Sequence, residues 1–119
     1  MITMELSCIL TGKNFSPALA ERLIGHELFE KNESGEIARV GRYKGLPFPY
    51  GSCTIRDDAS LKVVVDFLEK NQAELFGNGV EDIVLQLNVT YEGQCNFELD
   101  PLFLSRVAKL SQTLSISCY

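Results

Sequence analysis

The sequence predicts an α+β domain in which three helices pack on one face of a single, mostly antiparallel sheet of five to six strands. Three observations predict this class. Stretches that alternate apolar and polar residues are interleaved with stretches whose apolar residues recur every three to four positions, in the order βαββαββαβ. Three helices with one apolar stripe each can cover only one side of such a sheet. The length of 119 residues suits one domain, expected to span residues 1–119.

The first strand and the first helix are predicted at the start of the chain. Residues 4–11 alternate between apolar and polar side chains, which is typical of a half-buried strand. Ser16 followed by Pro17 predicts a helix start, because serine accepts a hydrogen bond from an unpaired amide and proline has no amide to leave unpaired. Gly25 is expected to end this helix in a left-handed conformation. Four apolar residues should share its buried face: Leu19, Ala20, Leu23 and Ile24.

The middle of the chain predicts a loop, two strands and a long helix. Residues 26–35 lack periodicity and are rich in glutamate, so we expect a surface loop there. Strands are predicted over residues 37–43 and 52–56, separated by a segment with two prolines and two glycines that cannot pair regularly. The Asp57-Asp58 pair is then expected to cap a helix that reaches about Phe76. Its predicted buried stripe consists of Leu61, Val64, Val65, Leu68 and Leu75.

The last third of the chain predicts two strands, a helix and a closing strand. Residues 82–91 alternate clearly, and Glu92-Gly93 signals a tight turn, so residues 94–99 should return as an antiparallel strand. A helix over residues 101–110 follows, capped by the aspartate before it. Residues 114–118 alternate again and close the sheet. The strand after the turn should bury Cys95, Phe97 and Leu99.

Charge and the uncovered face of the sheet argue against direct binding of nucleic acid. The formal net charge is −5, so attraction to phosphates would have to come from a local patch, whereas a basic protein partner is favoured. Sheets that read RNA carry stacking aromatic and basic side chains on the open face. The predicted lining here is short and polar: Glu5, Ser7, Thr54, Arg56, Gln86, Asn88, Thr90, Gln94, Asn96, Glu98, Thr113, Ser115 and Ser117.

The candidate catalytic and metal-ligating residues are few, and we expect no enzyme, no metal and no cofactor. His26 is the only histidine, and its place at a predicted helix end is explained by the favourable interaction of a cation with that end. The cysteines include no Cys-x-x-Cys pair, and all fall on the inward phase of predicted strands, so they are expected to be reduced core residues. They are Cys8, Cys53, Cys95 and Cys118.

The candidate partner-binding residues lie in two neighbouring segments. An acidic loop concentrates four carboxylates that would steer a basic partner; a solvated charged loop explains the same residues. They are Glu27, Glu30, Glu33 and Glu36. The next segment combines cations with Tyr43 and Tyr50, and arginine and tyrosine are favoured anchors at interfaces. The alternative is that Tyr43 and its neighbour Phe48 belong to the core.

No apolar run approaches the roughly 20 residues that a membrane-spanning helix needs. The first residues also lack a basic stretch followed by an apolar one with a small-residue cleavage site. We therefore expect a cytoplasmic protein that does not contact a membrane.

Several short motifs carry a family resemblance, namely Thr11-Gly12, Phe15-Ser16-Pro17, Leu23-Ile24-Gly25, Asp100-Pro101 and the final stretch from Leu114 to Tyr119. With these motifs the chain resembles the bacterial family named domain of unknown function 4279. The chain departs from the family at His26-Glu27 and Tyr50-Gly51, where members often have Pro-Thr and a tryptophan, so it resembles a divergent member. The family brings no catalytic residues to transfer.

Small domains of this kind resemble the immunity proteins encoded beside bacterial toxins. The resemblance implies a protein that neutralises one cognate toxin domain by blocking its active site, for example a contact-dependent growth inhibition nuclease. The acidic balance of the chain suits a basic nuclease domain as the partner. The alternative is a small-ligand or regulatory binding module without catalytic activity, with its pocket where the Pro/Gly-rich segment meets the sheet.

Overall fold

The computed structural model describes residues 2–57, 60–110 and 113–119, and these form one mixed sheet with three helices. The fold belongs to the predicted α+β class, and the sheet is mostly antiparallel. The elements are β1 (Ile2–Gly12), α1 (Pro17–Ile24), β2 (Phe29–Asn32), β3 (Gly51–Asp57), α2 (Val63–Gly77), β4 (Asp82–Tyr91), α3 (Pro101–Leu110) and β5 (Thr113–Cys118).

The longest strand, β1, lies at the centre of the sheet. The spatial order is β2-β3-β1-β4-β5, so β1 pairs antiparallel with β3 on one side and with β4 on the other. The last strand, β5, pairs parallel with β4. Because strand side chains alternate, the register aligns Leu6 and Cys8 of β1 with Leu87 and Leu85 of β4 on one face, and all four are fully buried.

The helices cover that apolar face, as predicted. Helix α2 supplies most of the cover, and four of the five residues predicted for its stripe are fully buried: Val64, Val65, Leu68 and Leu75. Leu61 does not belong to the helix, because it precedes α2 with a positive φ of 61°. Among the described helices none is long and apolar enough to cross a bilayer.

The caps of α1 confirm the sequence prediction. Ser16 accepts a hydrogen bond from the Leu19 amide at 3.3 Å, and Pro17 occupies the first turn. Gly25 adopts φ 73° and donates its amide to Glu21. The predicted stripe was too wide, however: Leu19 and Leu23 are exposed, because the short helix rests on the sheet through Pro17 and Ala20.

Helix α2 begins later than predicted. Asp57 is the last residue of β3, opposite Leu6, and Asp58 lies outside the described residues. The first amides of the helix instead meet Ser60, whose hydroxyl accepts from Lys62 at 3.2 Å and from Val63 at 3.4 Å. The prediction for α3 is confirmed, since the Asp100 carboxylate accepts from the amide of Leu102 at 2.8 Å.

The predicted strand over residues 94–99 was wrong. A turn does follow β4, with Gly93 at φ 81°, but residues 94–99 form no ladder. The reason is topological: β4 is already flanked by β1 and β5, so neither of its edges is open to a returning hairpin strand. Three side chains of the segment still pack at the margin of the core, partly buried: Cys95, Phe97 and Leu99.

The predicted strand over residues 37–43 was also wrong. The strand that pairs with β3 at this edge is β2, and β2 lies in the segment predicted to be a loop. Residues 37–43 take part only in isolated bridges with the residues that follow them, between Ile37 and Pro47 and between Ala38 and Lys44.

The cysteines do not share one environment. Cys8 and Cys53 are buried, as predicted, and Cys95 is half-buried. Cys118 is exposed, against the prediction, although it lies opposite the buried Val89 on the helix-covered face. It belongs to the edge strand, and the helices leave this end of the face uncovered.

Candidate functional site

The most distinctive surface is an arm formed by residues 35–50, which make up most of the connection between β2 and β3. Its two limbs are bonded to each other. Ala38 donates its amide to Leu46 at 2.9 Å and accepts from the amide of Gly45 at 2.8 Å. Nearer the sheet, Phe48 donates to Glu36 and accepts from Gly35, both at 2.9 Å. The arm is therefore an ordered hairpin-like unit rather than an irregular loop.

Three aromatic rings form a cluster in the arm. The centroid of Tyr43 lies 6.4 Å from those of both Phe48 and Tyr50, with edge-on geometry, and the Arg42 guanidinium lies 5.7 Å above the Tyr43 ring. All three rings are half-buried, and none belongs to the buried core cluster. The structure thus brings the two sequence-predicted anchors, Tyr43 and Tyr50, together on one small unit.

Three large aliphatic side chains of the arm point into solvent. Val40 is 78% exposed, and Ile37 and Leu46 are 57% and 58% exposed. Sequence reasoning missed them because it assigned Ile37 and Val40 to a strand. The glycines Gly41 and Gly45, at φ 83° and 82°, are the signal that this stretch turns back on itself.

The arm and the segment that precedes it carry charges of both signs. Arg39, Arg42 and Lys44 are exposed on the arm, and Glu36 lies in its first residues. Glu30 lies on β2, Glu27 precedes that strand and Glu33 follows it.

Two of the four predicted glutamates are bonded inside the molecule. The Glu30 carboxylate accepts hydrogen bonds from Arg56 and from the Thr54 hydroxyl, across the β2–β3 pair. The Glu33 carboxylate accepts the amide of Ala18 at 2.9 Å, in the first turn of α1. The Glu30 carboxylate therefore joins β2 to β3, and the Glu33 carboxylate joins the segment after β2 to α1.

The other two, Glu27 and Glu36, have exposed side chains. Their backbones are bonded: the Glu27 carbonyl lies 3.0 Å from Nδ1 of His26, and the Glu36 amide donates to the Glu33 carbonyl at 3.2 Å. These two are the carboxylates of the set that are best placed to meet a partner.

The open face of the sheet carries a polar row in register. Ser7 of β1 lies opposite Arg56 of β3 and Gln86 of β4, and Gln86 lies opposite Ser115 of β5. Two rings on this face are absent from the predicted lining. The Arg56 guanidinium lies 5.1 Å above the Phe29 ring of β2. The Tyr119 hydroxyl donates to Oδ1 of Asn88 at 3.3 Å. Ion pairing to Glu30 and stacking on Phe29 leave Arg56 engaged within the protein.

His26 packs against a helix. Its ring lies 4.4 Å from that of Phe67, tilted by 52°, in a recess between the end of α1 and α2. Burial raises the pKa of Cys53 to about 12 and also raises that of Cys8, which disfavours the reactive thiolate. Within residues 2–57, 60–110 and 113–119 no group of three or more histidine, cysteine or acidic side chains is placed to hold a metal ion.

A small recess lies where the end of the arm meets the sheet. Tyr50 lines it together with Lys13 and Glu81, and its volume is about 340 Å³. The Glu81 carboxylate accepts the amide of Lys13 at 2.6 Å, which ties the two walls together. The recess lies where the Pro/Gly-rich segment meets the sheet.

Comparison with known protein families, with curated proteins and with solved structures finds no match to this chain.

Proposed function

We propose that this chain is a cytoplasmic immunity protein that binds one cognate bacterial toxin domain through its arm and blocks the active site of that domain. The observation that carries the proposal is the arm itself, in which an aromatic cluster and three exposed aliphatic side chains sit on one self-bonded unit. The resemblance to immunity proteins supports a toxin domain as the class of partner. The exposed side chains of the arm support the arm as the surface that binds it.

The arm has the composition of a binding hot spot. Tyrosine and arginine anchors bury large areas while their polar ends stay satisfied. Exposed aliphatic groups such as Val40 and Leu46 gain free energy when a partner removes them from water. Because the limbs are already bonded to each other, little conformational entropy is lost when the arm enters a cleft.

The charges fit a nuclease domain. Nucleases that use metal ions hold them with carboxylates, so their catalytic clefts are acidic, whereas the surfaces that bind phosphates are basic. The cations of the arm, Arg39, Arg42 and Lys44, would enter the acidic cleft. The exposed carboxylates Glu27 and Glu36 would face the basic rim in place of nucleic-acid phosphates.

A matched pair of variants tests the proposal. Leu46→Asp places a charge on the arm, and Leu23→Asp makes the same change on α1, where the side chain is 55% exposed against 58% for Leu46. Each variant is co-expressed with the toxin domain encoded beside it, and growth and binding affinity are measured. Leu46→Asp should weaken binding by at least about tenfold and abolish protection, as expected for a hot-spot residue.

Leu23→Asp should bind and protect like the unmodified chain. Equal protection by Leu46→Asp would contradict the assignment of the arm. Absence of binding by the unmodified chain to that toxin domain would contradict the immunity function.

The recess at Tyr50 favours a second candidate, a small-ligand or regulatory binding module. Its volume lies at the lower end of the range for ligand sites. Saturable heats in calorimetry against a metabolite panel, lost on Tyr50→Ala, would favour this function over immunity.

A further inference from the structure

The outer edge of β5 is unprotected. β5 is the last strand of the sheet, and no other part of the described chain pairs with its far side. Its sequence, TLSISC, contains no charged residue and no proline, which are the usual means of protecting an edge. The opposite edge strand, β2, is protected: it carries Glu30 and Lys31 and its pairing is interrupted by a bulge.

The direction of the free backbone groups of β5 follows from one hydrogen bond. The amide of Tyr119 donates to the Val89 carbonyl of β4 at 2.9 Å. Since backbone groups of successive strand residues point to opposite sides, the amides and carbonyls of Leu114, Ile116 and Cys118 point away from β4. Within the described part of the chain nothing bonds to these groups, so the three residues present a regular row of backbone donors and acceptors to a further strand.

We propose that this edge binds a second copy of the chain, so that two β5 strands pair antiparallel about a twofold axis at Ile116. In that arrangement Ile116 lies opposite the partner's Ile116, and Leu114 lies opposite the partner's Cys118. The three outward residues of each strand then exchange about six backbone hydrogen bonds, and the two sheets become one continuous sheet.

In this pairing the side chains of the two β5 strands are complementary. On the helix-covered face every pair joins apolar groups, namely Leu114, Ile116 and Cys118 with the same three residues in reverse order. On the open face Ser115 lies opposite the partner's Ser117, a hydroxyl opposite a hydroxyl. No like charges lie opposite each other in this pairing of β5 with its copy. The net charge of −5 on each chain therefore repels the other chain only over longer distances, at which salt screens the repulsion.

The exposure of Ile116 is a second reason to expect another copy of the chain at the edge of β5. It lies opposite the fully buried Leu87 and faces the apolar side of the sheet, yet it is 46% exposed because the helices do not reach it. A symmetric pair of isoleucines at the axis would cover both side chains at once, at the spacing where cross-strand apolar pairs stabilise a sheet.

The test is the oligomeric state of three variants, measured by light scattering during size exclusion and by analytical ultracentrifugation. The unmodified chain should be a dimer. Ile116→Lys places two ammonium groups opposite each other at the axis and should weaken the dimer by at least about tenfold. Thr90→Lys, which adds the same charge at an exposed position in β4, should leave the dimer intact.

A third variant separates loss of the interface from loss of the fold. Ile116→Glu alone should be a monomer, but an equimolar mixture with Ile116→Lys should form a heterodimer, because opposite charges then meet at the axis. Circular dichroism should show both variants folded. A monomeric unmodified chain, an Ile116→Lys dimer as tight as the original, or an edge that binds only a strand of another protein would overturn the proposal.

Discussion

Arg106 of α3 and Glu69 of α2 form a two-point ion pair, in which Nε lies 3.0 Å from Oε2 and Nη2 lies 2.6 Å from Oε1. The same guanidinium also contacts Asp66. This pair joins the two helices outside the buried core, and the hydrogen bond from Arg106 lowers the pKa of Glu69.

The Arg106–Glu69 pair predicts a pH-dependent loss of stability in Arg106→Gln. The pKa of Glu69 is lower in the folded state than in the unfolded state, so the stabilisation is complete above the unfolded pKa and is lost as the pH falls through the folded pKa. Urea unfolding should show Arg106→Gln less stable than the unmodified chain at pH 7, with the difference shrinking at acidic pH. Arg39→Gln, on the exposed arm, serves as the control; a deficit of Arg106→Gln that is independent of pH would contradict the assignment.

The buried thiols predict selective chemical modification. Burial raises the pKa of Cys53 to about 12 and that of Cys8 as well, so both stay protonated in the folded protein at pH 8. A thiol reagent should modify the exposed Cys118 first, and Cys8 and Cys53 only after unfolding in urea, as mass spectrometry of peptides can show. Modification of Cys53 in native buffer as fast as Cys118 would speak against the buried environment.

The same thiols predict lower stability at alkaline pH. Their folded pKa values are raised, so the unfolded chain releases these protons from about pH 9 upward while the folded chain retains them. Stability should therefore fall as the pH rises above 9. Cys53→Ala should flatten this dependence, and an unchanged slope in that variant would contradict it.

Two glycines predict opposite effects of the same substitution. A Cβ on Gly12 would lie 1.9 Å from the Gly79 carbonyl oxygen, which is backbone and cannot swing aside, so Gly12→Ala should destabilise by about 3 kcal/mol. A Cβ on Gly77 meets nothing within 4 Å, and alanine favours the helix, so Gly77→Ala should stabilise by about 0.5–1 kcal/mol. Thermal unfolding of both variants measures the difference; two effects of the same sign would contradict the close contact at Gly12.

The exposed carboxylates Glu27 and Glu36 predict a change in association rate with the partner. In the double variant Glu27→Lys with Glu36→Lys, association with the toxin domain should slow by about tenfold at low salt and should depend less on salt. Glu92→Lys, an exposed glutamate in the turn after β4, adds the same kind of charge elsewhere. If both proteins associated equally fast in stopped-flow measurements, the steering role of Glu27 and Glu36 would be excluded.

The candidate site was predictable in composition but not in arrangement. Residue type alone pointed to Tyr43 and Tyr50 as anchors, and the structure places both in one aromatic cluster. The sequence could not predict which of the four glutamates bond within the protein and which stay exposed. Glu30 and Glu33 bond to residues that are distant in sequence, Arg56 and Ala18. Such contacts depend on how the elements pack.

What the sequence by itself determined is the local structure: the alternation that makes β1 and β4, the serine, proline and glycine that bound α1, and the faces that β1, β4 and α2 bury. These follow from interactions between residues close in the chain. Only the tertiary structure decided which strands are neighbours. Because β1 and β5 occupy both edges of β4, residues 94–99 cannot pair with it, and because β5 is the last strand, Cys118 and Ile116 of an apolar stripe remain in solvent. A strand's hydrogen-bonding partners are set by the competition among all the edges of the sheet, which no short stretch of sequence contains.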